Sequence, residues 1–158
     1  MVATREMTPS DWPAVEAIYA EGLATRNATF ETETPSWGEF CAAHLEGYRL
    51  VAEEGERVVG WATLAPTSRR RCYSGVVESS VYVAAGARGK GIGRLLMVVL
   101  LERARKGRLW TVQTSVFPEN EASIALHERL GFRIVGRRER LARLDGVWRD
   151  TLLLELRL

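Results

Sequence analysis

The stretch VVESSVYVAAGARGKGIGRLL, residues 76–96, decides the fold of this chain. Its first part, from Val76 to Ala84, is rich in β-branched residues and predicts a strand. A glycine-rich loop follows, and the apolar run from Leu95 to Ala104 predicts a packed helix that ends at Gly107. A helix that begins directly after such a loop directs its unpaired N–H groups toward the loop. The stretch therefore predicts a strand, an anion-binding turn and a helix in succession.

The loop reads Arg88-Gly89-Lys90-Gly91-Ile92-Gly93-Arg94. Its glycines let the backbone approach a ligand closely, and the helix dipole and three basic side chains favour an anion such as a pyrophosphate. The loop lacks the Gly-Lys-Ser/Thr of an ATP-binding loop, and no ribose-binding acid follows as in a dinucleotide site, so ATP and NAD are poor candidates. On these residues alone, a plain glycine-rich turn with solvated charges is an equal alternative.

Strands and helices alternate on both sides of this stretch. Upstream, the patterns predict a helix that contains Val15, Ile18, Tyr19 and Leu23, a short helix from Ser36 to about Leu45, and a hairpin of Leu50–Ala52 and Val58–Leu64. Downstream, they predict a strand Leu109–Val116, a helix from about Asn120 to Gly131, and closing strands Phe132–Arg138 and Val147–Leu156. With a strand placed first, the order predicts an α/β protein whose mixed sheet is covered by helices on both faces.

Length and composition predict a single domain over residues 1–158. Apolar residues make up 46% of the chain and charged residues 27%, which is typical of a soluble globular protein. The net charge of +2 disfavours nucleic acid as the main partner, and no apolar window reaches the length of a signal core or a membrane span. Cys41 and Cys72 lack metal-ligand spacing and suit a reducing compartment, so we expect a cytoplasmic protein with no metal and no membrane partner.

Two blocks carry a family resemblance. Val81-Tyr82-Val83, followed after five residues by Gly-Lys-Gly-Ile-Gly, resembles motif A of the GNAT acetyltransferases, and Asn120–Phe132 resembles their second cofactor-binding segment. The chain is most similar to the phosphinothricin or methionine sulfoximine N-acetyltransferase branch, through Ala28–Glu31, Val77–Val83, Leu126–Phe132 and Trp148–Asp150. The resemblance implies a GNAT-like fold with a mostly antiparallel, twisted sheet of about six to seven strands.

The resemblance also implies acetyl-CoA as co-substrate and a set of residues that bind it. The strand that ends at Val83 is expected to splay from its neighbour and to pair its main chain with the pantetheine arm. The expected cofactor-binding residues are Val81, Tyr82, Val83, Arg88, Gly89, Lys90, Gly91, Ile92, Gly93, Arg94, Asn120 and Ser123. From the local sequence alone, Asn120 is equally well explained as a helix N-cap, and Ser123 as a residue of the first helical turn.

Two side chains are candidates for proton transfer. Glu78 lies in an otherwise apolar strand, where a carboxylate is excluded unless it is paired or functional, so it is the candidate general base. The alternative is a glutamate on the solvent face of an alternating strand. His127 falls where many GNAT enzymes have a tyrosine that protonates the departing thiolate, and a satisfied helix histidine is an equal alternative.

The expected acceptor-binding residues are Phe30, Arg70, Arg71 and Tyr73. Arg70 and Arg71 precede the Glu78 strand, and an arginine fork suits the carboxylate of an amino acid. A solvated loop is the alternative. The chain departs from the branch at Ser68 and Ser74, where relatives often carry arginine, and near Leu144, where lysine is frequent.

The sequence therefore predicts an enzyme that acetylates the amine of a small amino acid or amino-acid analogue by direct attack. Acetylation of a peptide or protein amine is a second possibility within the same fold. A catalytically silent acyl-CoA-binding module and a nucleic-acid surface at Arg69–Arg71 rank lower. The resemblance further implies a homodimer.

Overall fold

Seven strands form one sheet in the computed structural model, which describes residues 1–158. The strands, which lie in the order β1-β2-β3-β4-β5-β7-β6, are β1 (Val2–Glu6), β2 (Arg49–Glu54), β3 (Arg57–Pro66), β4 (Val76–Val83), β5 (Thr111–Val116), β6 (Arg133–Leu144) and β7 (Val147–Arg157). The helices are α1 (Trp12–Ala24), α2 (Trp37–Ala43), α3 (Ile92–Lys106) and α4 (Glu121–Arg129). None of them is long and apolar enough to cross a membrane.

Only β4 and β5 pair in parallel, and every other neighbouring pair is antiparallel. A parallel pair needs a crossover connection, and α3 supplies it between β4 and β5. The predicted α/β fold with a mostly antiparallel sheet is confirmed.

Helices cover both faces of the sheet, as predicted. Trp61 of β3 is almost fully buried and contacts Tyr19 of α1 and Phe40 of α2 at ring-centroid distances of 5.3 Å each. The adjacent Gly60 lies against Leu96 of α3. Because successive residues of a strand point to opposite faces, α1 and α2 pack on one face and α3 on the other.

Two element boundaries differ from the prediction by three residues or more. The helix α3 begins at Ile92 rather than Leu95, because Gly91 adopts a left-handed φ of 81° and serves as its N-cap. Strand β6 runs on to Leu144 because the Asp145-Gly146 turn, with φ values of 50° and 78°, closes a long hairpin with β7. The Asp-Gly pair is a strong hairpin signal that the strand prediction did not use.

Candidate active site

The site begins where β4 and β5 part. The two strands pair only from Val76 to Glu78 on β4, opposite Thr111 to Gln113 on β5. Beyond that point β4 stays paired with β3 as far as Val83, and β5 stays paired with β7 as far as Val116. A V-shaped gap therefore opens inside the sheet, with Glu78 at its apex, as the family resemblance implies.

The main chain of β4 presents unpaired polar groups to this gap. The Ala84 N–H donates to the Val59 carbonyl at 2.8 Å, which fixes which β4 residues bond to β3. Since this bonding alternates along an antiparallel strand, Tyr82 and Ser80 bond to β3, whereas Val83 and Val81 direct their N–H and C=O groups into the gap. The Arg88 Nε atom already donates to the Val83 carbonyl at 3.2 Å. These groups form a polar edge for a ligand with amide groups.

The glycine-rich loop lies at the open end of the gap. Gly89 and Gly91 have left-handed φ values of 78° and 81°, and no atom lies within 4 Å of a Cβ built on either residue. The space beside the two residues is therefore open to a ligand. Gly91 caps α3, so the first N–H groups of a 15-residue helix face the same space. The conformation and the helix together form an anion-binding turn.

A cavity of about 860 Å³ occupies the gap and extends to the α1–α2 connection. Its walls combine Glu78 to Val83, the glycine-rich loop, the face of α4, and residues 27–31 of that connection. The volume falls in the range of sites that bind small molecules. Helices from both faces of the sheet therefore contribute residues to the wall of one cavity.

The charged residues of the cavity wall separate by sign. Arg88, Arg94 and Arg129 lie on the side of the glycine-rich loop, whereas Glu31 and Glu78 lie on the side of the α1–α2 connection or at the apex. The basic side suits an anion such as pyrophosphate, and the acidic side suits an ammonium group. We call the two sides the cofactor half, formed by residues 81–94 and α4, and the acceptor half, formed by residues 25–31 and the Glu78 side chain.

Glu78 is half-buried and lies at the last paired position of β4, opposite Gln113. Its side chain shares a face with that of Tyr82, because the two residues are four apart on one strand. Tyr82 stacks on Trp61 at 4.7 Å, so this face is the one that α1 and α2 cover. The carboxylate therefore lies on the side of the α1–α2 connection and belongs to the acceptor half.

His127 is only 2% exposed and lines the cavity from α4. Its Nδ1 atom lies 2.7 Å from the Ser123 carbonyl oxygen, which can only accept, so Nδ1 carries a proton. Burial lowers the pKa of His127 below its ordinary value of 6.5, although the bond to Ser123 opposes this shift. The neutral ring therefore prevails at neutral pH, with Nε2 unprotonated.

Tyr82, Lys90 and Asn120 differ from the other predicted cofactor-binding residues, because their polar groups are bonded elsewhere or lie outside the cavity wall. The Tyr82 ring packs against Trp61, and its main chain bonds to β3, so it does not contribute to the polar edge. Lys90 is exposed and does not line the cavity. Asn120 accepts from the Ser123 N–H at 3.2 Å, as the N-cap of α4, and its Nδ2 atom donates to the Asn27 carbonyl at 3.1 Å.

Only one of the four predicted acceptor-binding residues lines the cavity. Phe30 does so, with its ring edge-on to Phe117 at 4.9 Å. Arg70, Arg71 and Tyr73 lie on an exposed turn before β4 and are not part of the cavity wall. Arg70 instead stacks on the Tyr73 ring at 5.4 Å.

The sequence did not point to Asn27, Phe117 and Arg149, which contact one another beside the acceptor half. Arg149 lies over the Phe117 ring at 4.0 Å and bonds to Asn27, which is 122 residues away along the chain. No local pattern marks such a contact. Ala28–Glu31 and Trp148–Asp150 are both in the stretches that resemble the family, which was the only signal near these residues.

Comparison with known proteins agrees with this geometry. Residues 10–132 match the model of the Acetyltransferase (GNAT) family. The chain is 33% identical to an L-methionine sulfoximine/L-methionine sulfone acetyltransferase of Pseudomonas paraeruginosa, over 98% of this chain and 93% of that protein.

Two solved structures have nearly the same fold. A ribosomal-protein-alanine N-acetyltransferase from Brucella melitensis is 33% identical and superposes with a TM-score of 0.91 over 99% of each chain. A GNAT superfamily phosphinothricin acetyltransferase from Sinorhizobium meliloti, solved in complex with acetyl-CoA, is 31% identical with a TM-score of 0.90, over 99% of this chain and 88% of that chain.

Proposed function

Because this chain belongs to the acetyltransferase (GNAT) family, we propose that it transfers the acetyl group of acetyl-CoA to the α-amine of a free amino acid or amino-acid analogue. The observation that carries the proposal is the gap between β4 and β5, which has an anion-binding turn at its open end and a carboxylate at its apex. Acetyl-CoA has complementary parts in the same order: a pyrophosphate, a pantetheine arm with two amides, and a thioester.

The residues that would hold acetyl-CoA follow from this match. Gly89 to Arg94 offer N–H groups and positive charge to the pyrophosphate, and Val81 offers main-chain groups to a pantetheine amide. The Val83 carbonyl is shared with Arg88, so the Val83 N–H is its free group. Ser123 lies on the first turn of α4 and lines the same cavity. The thioester then lies near the apex and Glu78.

We propose Glu78 as the general base. An α-amine, with a pKa of about 7.7 to 8.0, loses its proton at pH 7 at a cost near 1 kcal/mol, whereas a lysine amine costs about 4 to 5 kcal/mol. The free amine attacks the carbonyl carbon of the thioester, the C–S bond breaks, CoA leaves as the thiolate, and the excess amine proton passes to Glu78. Such proton transfer contributes about 10²- to 10⁴-fold to a rate.

The predicted role of His127 as proton donor requires its imidazolium form. Burial makes that form scarce at neutral pH, and the neutral ring has no proton on Nε2 to give. A CoA thiol resembles a cysteine thiol, with a pKa of about 8.5, so a thiolate is a tolerable leaving group without a donor. We therefore propose that His127 chiefly fixes the first turns of α4 through its bond to Ser123.

Release of CoA thiol, measured against a panel of acceptors, tests the proposal. The panel consists of free amino acids, phosphinothricin, methionine sulfoximine and short peptides, each with mass-spectrometric identification of the product. We expect turnover with free amino acids or their analogues. Binding of acetyl-CoA with no thiol release for any acceptor would instead indicate a silent acyl-CoA-binding module.

Acetylation of a protein or peptide amine is a second candidate. The similarity to the Brucella ribosomal-protein-alanine enzyme favours it, because an N-terminal alanine also presents an α-amine. The same panel distinguishes the two, since this alternative requires a higher kcat/KM for an alanine-initiated peptide than for any free amino acid.

We further propose that the enzyme is a cytoplasmic homodimer. Large apolar side chains are exposed together on the β6–β7 hairpin, namely Ile134, Val135, Leu141, Val147 and Trp148, and β6 is an edge strand of the sheet. Cys41 and Cys72 are both free thiols, which suits a reducing compartment. Light scattering of the purified enzyme tests the dimer, and Val147→Glu should weaken it.

A further inference from the structure

The acceptor half is walled by a segment with no regular structure of its own. Residues 25–31, which we call the acceptor loop, follow α1 and contain neither helix nor strand. The loop nevertheless contributes Asn27, Phe30 and Glu31 to the cavity wall. Irregular segments are mobile unless specific contacts hold them, so contacts from outside the loop set the shape of the acceptor half.

The side chain of Arg149, on β7, makes such contacts from outside the loop. Its Nη1 atom donates to the Arg26 carbonyl at 2.9 Å, and its Nη2 atom donates to Asn27 Oδ1 at 3.3 Å. Nη2 also reaches Glu119 Oε2 at 3.2 Å. The guanidinium thus joins the acceptor loop to the segment that leads into α4, and α4 lines the cofactor half.

Two further observations show that this junction is fixed. Arg26 adopts a left-handed φ of 53°, a strained conformation for a non-glycine residue that surrounding contacts must maintain. The guanidinium also stacks on Phe117, which contacts Phe30 of the loop, so apolar packing reinforces the hydrogen bonds. The Arg149 side chain is 19% exposed, which limits the screening of its bonds by water.

We infer that Arg149 is a positioning residue for the acceptor: its guanidinium fastens the acceptor loop to the entry of α4 and so fixes the acceptor half against the cofactor half. Arg149 is not a carboxylate-binding residue, because it does not line the cavity and its donors are directed at Arg26, Asn27 and Glu119. This inference rests on the proposed function for its kinetic consequence only.

The test compares Arg149→Met, which removes the fork, with Arg149→Lys, which keeps the charge but offers a single ammonium in place of the fork. Arg133→Met is the matched control, because Arg133 pairs with Glu155 on the same hairpin and does not touch the loop. In both Arg149 variants we expect the KM of the acceptor to rise about tenfold or more, as expected for the loss of charged hydrogen bonds, with the KM of acetyl-CoA nearly unchanged.

Hydrogen exchange of the peptide that contains residues 25–31 provides a readout that needs no acceptor. Exchange should accelerate in both Arg149 variants and stay unchanged in Arg133→Met.

Should Arg149→Met fail to fold, Asn27→Ala removes one partner of the guanidinium without touching β7 and should also accelerate exchange. Unchanged exchange, or faster exchange with an unchanged acceptor KM, would overturn the inference. If the parent enzyme acetylates no free amino acid, the proposed function fails, and the exchange result still decides whether Arg149 fastens the loop.

Discussion

The cofactor half and the acceptor half of the cavity are made from different kinds of atoms. The cofactor half relies chiefly on main-chain groups, namely the free edge of β4, the left-handed Gly89 and Gly91, and the N-terminus of α3, with arginine side chains beside them. The acceptor half uses side chains of an irregular loop that a distant arginine holds. Main-chain groups are the same in every sequence that adopts the fold, whereas side chains differ, so one fold can retain its cosubstrate while it changes its acceptor.

The largest expected effect tests whether a side chain, that of Glu78, supplies the chemistry of the acceptor half. Glu78→Gln should lower turnover about 10²- to 10⁴-fold at neutral pH and leave the affinity for acetyl-CoA unchanged. Activity should recover in part as pH rises, because the acceptor amine then loses its proton to solvent. Steady-state kinetics from pH 6 to 9 and calorimetry check both points. Glu102→Gln, which alters an exposed carboxylate of α3 outside the cavity wall, is the control; a parental rate in Glu78→Gln would remove Glu78 from the mechanism.

The next largest effect tests whether the backbone of the glycine-rich loop binds acetyl-CoA in the cofactor half. Gly91→Asp should weaken acetyl-CoA binding about 10- to 100-fold, because a left-handed non-glycine residue costs about 1 to 2 kcal/mol and a carboxylate repels the pyrophosphate. Gly91→Ala separates the conformational part from the charge. Gly86→Asp is the control, since Gly86 has an ordinary φ, open surroundings and no place in the cavity wall. Equal affinities for the two aspartate variants, measured by calorimetry, would refute this assignment.

A smaller effect tests how far the acceptor half extends. Arg70 and Arg71 are exposed and outside the cavity wall, so they can attract an acceptor carboxylate only through solvent. Their joint replacement by alanine should raise the KM of a free amino acid about two- to fivefold at low salt, and the difference should vanish at high salt. The methyl ester of the same acceptor should show no change. A salt-independent rise would mean that the two arginines contact the acceptor directly.

The smallest expected effect concerns His127 and the stability of the cofactor half. Its folded pKa lies below the ordinary value of 6.5, so the unfolded chain binds more protons between these two values. The free energy of unfolding should therefore fall as pH drops below about 6.5, and His127→Gln should reduce that slope. His44, whose pKa burial also lowers, contributes a slope of the same sign, and this contribution remains in the variant. Denaturant titrations at pH 7.5 and 5.5 measure the change, and an identical slope in both proteins would contradict it.

The sequence allowed more of the cofactor half to be predicted than of the acceptor half, for a physical reason. Glycines, strand and helix follow one another between Val76 and Lys106, so local propensities and the family resemblance placed them together. Tyr82 is an exception. The packing of its ring on Trp61 and its bonding to β3 depend on the register between β3 and β4, which is set by residues about twenty positions upstream.

The acceptor half depends on contacts between distant parts of the chain. Arg149 and Arg26 are 123 residues apart, and no periodicity connects them. Arg70 and Arg71 were predicted to bind the acceptor carboxylate because they precede the Glu78 strand, but the turn that carries them lies on the surface. Phe30 was predicted to bind the acceptor because its motif resembles the family, and it lines the cavity. Its neighbours in the sequence did not predict where the loop would pack.

The parting of β4 and β5 has a consequence for association between chains. An unpaired strand edge normally promotes aggregation, because an extended segment of another chain can pair with it. Here the free edge of β4 lies inside the sheet, in a cavity walled by the acceptor loop and α4, and not on the outer border of the sheet. Under the proposed function, the pantetheine arm with its two amides would serve as the missing neighbour of β4. The open edge, which on the border of a sheet would favour aggregation, here favours a ligand that can complete the sheet from inside the cavity.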